Sequence, residues 1–198
     1  MSYPAARLAL TYDDYLEWEN HQPDRHEYIG GEVFAMLGTS DWHNEISLNL
    51  ATLLRQHLRG TPCRVYMIDV KAQVEAADCC FYPDAQVTCA ESDLTDRYAK
   101  RSPVLVVEVL SESTAAFDLG KKFAAYQQLD SLWEYVLVDQ ERIRVPIFHQ
   151  QEGRWWADNI GPGGRLRLES VDLDCPIEVL YENLSAPIPV EPPVPAAR

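Results

Sequence analysis

The segment Pro103-Val-Leu-Val-Val-Glu-Val-Leu110 carries the strongest strand signal of the chain and decides how the fold is interpreted. Its residues are apolar at both odd and even positions, which is typical of a central strand buried on both faces of a sheet. The exception is Glu108. A carboxylate inside such a strand is costly unless it is paired or holds a metal ion. Two interpretations stay open from this residue alone: a functional ligand, or a glutamate that reaches solvent or forms a salt bridge.

The residues after this strand predict a helix and a second buried strand. The helix is expected from about Ala116 to Leu129, and the strand covers residues 133–138, which are apolar enough to lie beside residues 103–110. A strand–helix–strand unit of this kind predicts parallel pairing with a right-handed crossover.

The preceding residues predict further helices and strands. Thr11 and Ser40 are candidate N-caps of two helices, the second reaching about Leu58, and Gly30-Gly31 is a hairpin signal between two strands. Residues 64–68 and 71–74 are interpreted as neighbouring strands of one meander, and 83–88 as a further strand. These elements predict an α/β fold (α+β, mixed sheet) with a central mixed β-sheet flanked by helices. A single domain is expected over residues 1–184, followed by a proline-rich, flexible tail at 185–198.

Composition limits the functions that fit. The 198 residues carry a formal net charge of −14, and no run of lysines and arginines amounts to a basic arm. A protein that grips DNA through its phosphates needs a basic face, so the charge disfavours DNA as a partner. The five cysteines form no CxxC pair and are interpreted as reduced thiols. No signal peptide or membrane-length apolar segment is visible, which predicts a cytoplasmic protein that does not enter membranes.

Two further residues can join Glu108 in a site. Asp84 follows Pro83 at the start of a strand, and two carboxylates on neighbouring strand ends can chelate Mg²⁺. Lys122 lies on the helix after the Glu108 strand, where its ammonium could stabilise charge growing on a phosphate. The alternatives are a turn role for Asp84 and an ion pair of Lys122 with Asp118, one helical turn away.

These residues belong to a series of segments through which the chain resembles the Uma2 family (DUF820) of the PD-(D/E)XK restriction-endonuclease-like superfamily. The similarity runs from about Leu10 to Leu184. The matching segments are Leu10-Thr-Tyr-Asp-Asp-Tyr-Leu16, Glu27-Tyr-Ile-Gly-Gly-Glu32, His43, Tyr82-Pro-Asp84, Val106-Val-Glu-Val-Leu-Ser-Glu-Ser-Thr114, Asp118 with Lys122 and Tyr126, and Glu134-Tyr-Val-Leu-Val-Asp139.

The resemblance implies a restriction-endonuclease-like core and a role for each site residue. Asp84, Glu108 and the backbone carbonyl of Val109 would bind Mg²⁺ or Mn²⁺, and Glu27 would be an additional acid that holds a second metal or a metal-bound water. The usual position of the lysine, two residues after the acid, is Leu110 here. Lys122 would therefore be a migrated catalytic lysine, with Lys71 as the weaker substitute. His43 is expected to be structural or to line the site.

Two functions follow from these expectations. The first is a Mg²⁺-dependent endonuclease that hydrolyses DNA phosphodiester bonds and forms a homodimer, because cleavage of both strands of a duplex needs two sites. The second is a catalytically weak or inactive protein of the same fold that acts as a binding or regulatory module. The acidic composition suits a protein partner better than DNA, and fold analogy alone does not decide between them.

Overall fold

The computed structural model describes residues 4–7, 9–36 and 38–184, and this part of the chain forms fourteen strands and five α-helices. The strands are β1 (Pro4–Arg7), β2 (His26–Ile29), β3 (Glu32–Ala35), β4 (Arg64–Met67), β5 (Lys71–Val74), β6 (Cys79–Phe81), β7 (Ala85–Thr88), β8 (Ala99–Lys100), β9 (Pro103–Leu110), β10 (Glu134–Asp139), β11 (Val145–Gln151), β12 (Arg154–Ile160), β13 (Arg165–Leu168) and β14 (Leu173–Pro176). The helices are α1 (Tyr12–Glu19), α2 (Asp41–His57), α3 (Glu91–Thr95), α4 (Ala115–Phe117) and α5 (Phe123–Tyr126).

The apolar strand β9 lies inside a six-stranded mixed sheet of order β12-β11-β10-β9-β7-β4. Its register with β10 is parallel, with Glu108 opposite Leu137, and its register with β7 is antiparallel. The predicted parallel pairing is therefore confirmed. Helix α2 covers one face of this sheet, where Ile46, Leu50 and Leu54 pack against buried residues of β7, β9 and β10. Burial on both faces explains why the strand carries apolar residues at every position but one.

A second six-stranded sheet has the order β1-β3-β2-β6-β5-β8. The interpretation of residues 64–68 and 71–74 as one meander is therefore wrong, because β4 and β5 belong to different sheets. The chain changes sheets at Ile68, which has a positive φ of 43° and donates its N–H to the Pro83 carbonyl at 3.2 Å. The sequences of β4 and β5 both favour strands, but neither indicates the sheet to which its strand belongs.

The predicted caps and hairpin are present. Thr11 caps α1 in a reciprocal capping box with Asp14, and the Ser40 hydroxyl accepts the His43 N–H at the start of α2. Gly30 and Gly31 both have positive φ, at 53° and 88°, in the turn between β2 and β3. Glycine is the residue that adopts such angles without steric strain. This short turn fixes the register that places Glu27 opposite Phe34.

The helix expected at 116–129 begins at Ala115, ends at Tyr126 and is not uniform. A π-helical turn at Asp118–Lys122 separates α4 from α5. Such turns are rare and are frequent at functional sites, because the wider turn re-aims side chains that a regular helix would direct elsewhere. Here the turn contains both Asp118 and Lys122, and both are buried.

The cysteines also differ from the prediction. Cys63 and Cys89 form a disulfide between the start of β4 and the end of β7, with their Cα atoms 4.0 Å apart. Reduced thiols are found at Cys79, Cys80 and Cys175, all buried. The pair is 26 residues apart in sequence, so no short spacing motif marks it. The antiparallel register that sets Arg64 opposite Thr88 brings the two sulfur atoms together.

The expected tail at 185–198 lies outside the described residues. Over the described part of the chain, none of the helices has both the length and the apolar composition needed to cross a bilayer.

Candidate active site

A cleft of about 160 Å³ opens where the two large sheets meet the start of α2 and the helical segment after β9. Six of the residues that the sequence proposes for the site line it, namely Glu27, His43, Asp84, Glu108, Val109 and Lys122. Strand β2 carries Glu27, strand β9 carries Glu108 and Val109, and Asp84 immediately precedes β7. The structure thus brings together residues that are up to 95 positions apart in sequence.

Lys122 is at the centre of the cluster. Its Nζ lies 2.8 Å from Glu27 Oε1 and 3.0 Å from Glu108 Oε1. Asp118 Oδ1, one turn earlier, is 3.5 Å from the same nitrogen. The Asp118–Lys122 ion pair that the sequence offers as the alternative is therefore present, within a network that also includes Glu27 and Glu108. The lysine side chain is only 6% exposed, so these contacts form away from bulk water.

Asp84 is positioned by a different set of partners. Its Oδ2 accepts the Val109 backbone N–H at 2.7 Å and lies 3.3 Å from His43 Nε2. The first contact joins the beginning of β7 to the end of β9, so that Asp84 and Glu108 face the same cleft. The second places His43 within the site. The expectation that His43 lines the site is met, and the metal-ligand role of the Val109 carbonyl stays a prediction.

Glu27 and Glu108 are held by further donors. Glu27 Oε1 accepts the Tyr82 N–H at 3.4 Å, and the Tyr126 hydroxyl donates to Glu108 Oε1 at 3.3 Å. Tyr126 is the third residue of the helix face that carries Asp118 and Lys122. These bonds restrict the rotamers of both carboxylates, which is the support that an ordered site requires.

Burial and mutual charge shift the ionisation of the cluster. Burial raises the pKa of the Glu27 and Glu108 carboxyls, although the Lys122 ammonium acts to lower both. Burial alone would lower the pKa of Lys122, but Glu108, Glu27 and Asp118 outweigh it and hold the pKa well above its ordinary value. The surrounding carboxylates therefore favour the charged form of Lys122.

The chemistry of the cleft fits a hard divalent cation. Four carboxyl groups (Glu27, Asp84, Glu108 and Asp118) meet one ammonium there, a formal excess of three negative charges when all are ionised. Oxygen donors are what Mg²⁺ and Mn²⁺ prefer. Across the described residues, no three His, Cys, Asp or Glu side chains form a ready-made coordination set. Mg²⁺ does not require one, since it is commonly held by one or two carboxylates and several waters. Asp84, Glu108 and the Val109 carbonyl would hold the ion.

Asp118, which the sequence offers as an ion-pair partner of Lys122, forms that pair and also lines the cleft. Its position on the same helix face as Lys122 is the sequence signal for this. Lys71, the weaker substitute for the catalytic lysine, does not line the cleft. Its ammonium is buried and lies 5.2 Å from the centroid of the Tyr82 ring. The geometry therefore favours Lys122.

The site lies in a mixed α/β fold whose central strand β9 carries Glu108 into a carboxylate-rich cleft. Residues 12–178 match the Uma2 family, described as "Putative restriction endonuclease", and the chain belongs to this family. A solved structure with the same fold is "a putative nuclease belonging to DUF820" from Anabaena variabilis. Its TM-score is 0.72 at 16% identity, and the match covers 87% of this chain and 97% of that one.

Two relatives come from Synechocystis, and both are described as uncharacterized proteins. The protein slr1290 is 37% identical over 177 residues, which is 89% of this chain and 93% of that protein. The protein sll1609 is 33% identical over 158 residues, or 79% of this chain and 89% of its own length. The family match supports a nuclease-type function, and the solved structure shows the fold.

Proposed function

We propose that the protein is a Mg²⁺- or Mn²⁺-dependent endonuclease that hydrolyses DNA phosphodiester bonds. The observation that carries this proposal is the convergence of Glu27, Glu108 and Asp118 on the buried ammonium of Lys122, in a cleft that Asp84 also lines. A structural salt bridge needs one acid for one base, whereas this cleft collects four carboxyl groups. The excess of carboxylates is a property of metal-dependent phosphoryl chemistry and has no advantage for stability.

The residues of the chain divide the work between them. Glu27 and Glu108 hold the Lys122 ammonium in place from two sides, so that its position is set before a substrate arrives. As a fixed cation, Lys122 would bind a non-bridging phosphate oxygen or orient the attacking water. Asp84, fixed by the Val109 N–H, would present its remaining lone pairs to the cation. The bound divalent ion supplies charge neutralisation of the phosphate and a lowered pKa of the attacking water.

The acid with the best position to accept a proton is Glu27. Its carboxyl is buried, its pKa is raised by that burial, and it lies 2.8 Å from the lysine that would orient the water. A carboxylate with a raised pKa is a better general base than one with an ordinary pKa. We assign Glu27 this role in the proposed reaction, in addition to the metal-binding role suggested by the resemblance.

A plasmid-nicking assay tests the proposal. Purified protein with supercoiled DNA and Mg²⁺ is expected to give nicked circles, and chelation of the metal should stop the reaction. Asp84→Asn should reduce nicking to background, and Lys122→Met should slow it by about 100-fold or more. Asp130→Asn removes an exposed acid that does not line the cleft and is the matched control. Linear product formed together with nicked circles would support the homodimer.

A second function is favoured by one observation, the saturation of Lys122 by three carboxylates in a chain of net charge −14. In this alternative the network is structural, and the fold acts as a binding module for a protein partner. It predicts that Asp84→Asn, Asp130→Asn and the wild-type protein give the same nicking, attributable to contamination. That result would refute the endonuclease proposal.

A further inference from the structure

One segment of this acidic chain contains no acid at all. Between Glu45 and Asp69 there is neither an aspartate nor a glutamate, yet the segment holds Arg55, Arg59 and Arg64. All three arginines are exposed. Arg55 lies in the last turn of α2, Arg59 just after that helix, and Arg64 at the first residue of β4, so the patch is assembled from two elements and the loop between them.

The three arginines line one groove of about 800 Å³ between the end of α2 and β4. No carboxylate contributes to its lining; the other polar groups are those of Thr52, Gln56, Thr61 and Tyr66. Within the described residues none of the three forms an ion pair. Elsewhere on the surface Arg25, Arg101 and Arg165 each contact a carboxylate. The groove therefore collects cationic charge that the protein itself does not neutralise.

The wall of the groove is held rigidly. The Arg64 guanidinium donates from Nη1 to the carbonyls of Thr61 and Cys63, at 2.9 and 2.8 Å, which leaves its other N–H groups free. The Thr61 hydroxyl donates to the Leu58 carbonyl at the end of α2, and the Cys63–Cys89 disulfide anchors the loop to β7. A preorganised guanidinium loses little freedom on binding, so more of the interaction energy appears as affinity.

The helix dipole offers a simpler reason for part of this pattern. Cations near a helix C-terminus are stabilised by the partial negative charge there, which accounts for Arg55 and Arg59. It does not account for Arg64, which lies on a strand, nor for the absence of every acid from the lining. A groove with three guanidinium groups that form no ion pair within the described residues, and with several hydrogen-bond donors, matches a run of phosphates, because guanidinium forks bind phosphate oxygens in bidentate geometry.

The groove is within reach of DNA held in the cleft. Helix α2 begins beside Asp84, through His43, and Arg55 lies about 18 Å further along it at roughly 1.5 Å per residue. Arg64 pairs opposite Thr88, at the far end of β7 from Asp84, about 13 Å away at roughly 3.3 Å per residue. These distances correspond to about four to five base pairs. Acids farther than about 10 Å from the groove are largely screened at 0.1 M salt.

We infer that the Arg55–Arg59–Arg64 groove binds the phosphate backbone of duplex DNA on the flank of the site of cleavage. This inference rests on the proposed function, since it takes DNA as the ligand. The net charge of −14 does not exclude such binding, because binding to the DNA backbone depends on a local strip of cations and not on the total charge of the chain. The groove would contribute affinity and position without sequence selectivity.

The inference is tested by measuring the affinity for a labelled duplex of about 20 base pairs by fluorescence anisotropy. The measurement is made without divalent metal and over a series of salt concentrations. Each phosphate contact contributes about 0.9 to the slope of log K against log salt. The variant R55Q/R59Q is expected to lower the slope by about 1.8 and to weaken binding roughly tenfold per arginine at 0.1 M salt. R165Q/R167Q makes the same charge change on a hairpin outside the groove, where Asp174 already pairs with both arginines, and should have little effect.

The outcomes separate the two proposals. Equal slopes and affinities for R55Q/R59Q and R165Q/R167Q would overturn the groove, whether or not the wild type nicks plasmid. A selective loss in R55Q/R59Q supports the groove even if wild-type protein with Mg²⁺ leaves plasmid intact, and in that case only the endonuclease proposal fails. If R55Q/R59Q loses binding to poly-glutamate but not to the duplex, the groove belongs to an acidic polypeptide and the inference is wrong.

Discussion

Replacing Lys122 by methionine is the perturbation that most directly tests the network in the cleft. Methionine fills nearly the same volume as the lysine stem, so packing changes little while the charge is lost. The buried carboxyls of Glu27 and Glu108, which lie 2.8 and 3.0 Å from the ammonium, then lose their partner. The free energy of unfolding should fall because two acids remain buried without a compensating cation.

The magnitude follows from the burial of the pair. Removing one partner of a buried ion pair costs about 3–5 kcal/mol, and the lysine side chain is only 6% exposed. For a domain of this size about 1 kcal/mol shifts the melting temperature by roughly 2–4 °C, so a decrease of about 6–20 °C is expected. The exposed neighbour Lys121 has no such contact, and Lys121→Met should change the melting temperature by no more than about 2 °C.

The loss should also depend on pH. Lys122 acts to lower the pKa of Glu27 and Glu108, so its removal raises both further above the ordinary value of 4.5. Between that value and the raised pKa, the folded variant binds more protons than the unfolded chain does. Its free energy of unfolding therefore falls as pH rises through this window. The destabilisation should be larger at pH 8 than at pH 5.

Thermal and urea unfolding in EDTA at these two pH values, with Lys121→Met as the control, measure both effects. Addition of Mg²⁺ should recover part of the stability of Lys122→Met if the carboxylates bind the ion, because a ligand that binds only the folded state stabilises it. The reasoning is refuted if Lys122→Met melts within 2 °C of Lys121→Met, or if it is more stable at pH 8 than at pH 5.

Two further predictions concern the scaffold. Converting Cys63 and Cys89 to serine should destabilise the protein by about 3.5 kcal/mol, the chain-entropy value for a 26-residue separation, as measured by urea unfolding. Thiol titration of the unreduced, denatured wild type should find three thiols, and finding five would exclude the disulfide. Hydrogen bonds from Thr11 lower the pKa of Asp14, so the stability that this carboxylate adds to α1 is present above the unfolded pKa of 3.8 and is lost as pH falls through the lowered value. Thr11→Val should return the Asp14 pKa toward 3.8 in a carboxyl NMR titration, and an unchanged titration would show that the capping box does not form.

Much of the local structure could be predicted because its causes are local. The caps at Thr11 and Ser40, the hairpin at Gly30-Gly31 and the fully apolar strand at residues 103–110 each follow from short-range sterics, hydrogen bonding or burial pattern. The π-helical turn at Asp118–Lys122 could not, since the residues around it read as an ordinary helix and the turn is stabilised by tertiary contacts.

The candidate site was predictable to a different degree for each residue. Glu108 can be identified from the sequence alone, because it is the only charged residue in the apolar segment 103–110. Asp84, Glu27 and Lys122 were selected through their order and spacing in a family resemblance, because a lone acid or lysine has no distinctive local pattern. That they converge on one cleft, and that His43 lies 3.3 Å from Asp84, depends on contacts between distant elements.

The sequence by itself determined the α/β character of the protein, the central buried strand and the acid within it, because hydrophobic periodicity and caps act over a few residues. Only the tertiary structure decided that β4 and β5 enter different sheets, that Cys63 meets Cys89, and that the acid-free segment closes into a basic groove. Strand partners are chosen by the packing of the whole core, which no short segment encodes. For the same reason, the net charge of −14 did not reveal that Arg55, Arg59 and Arg64 line one groove.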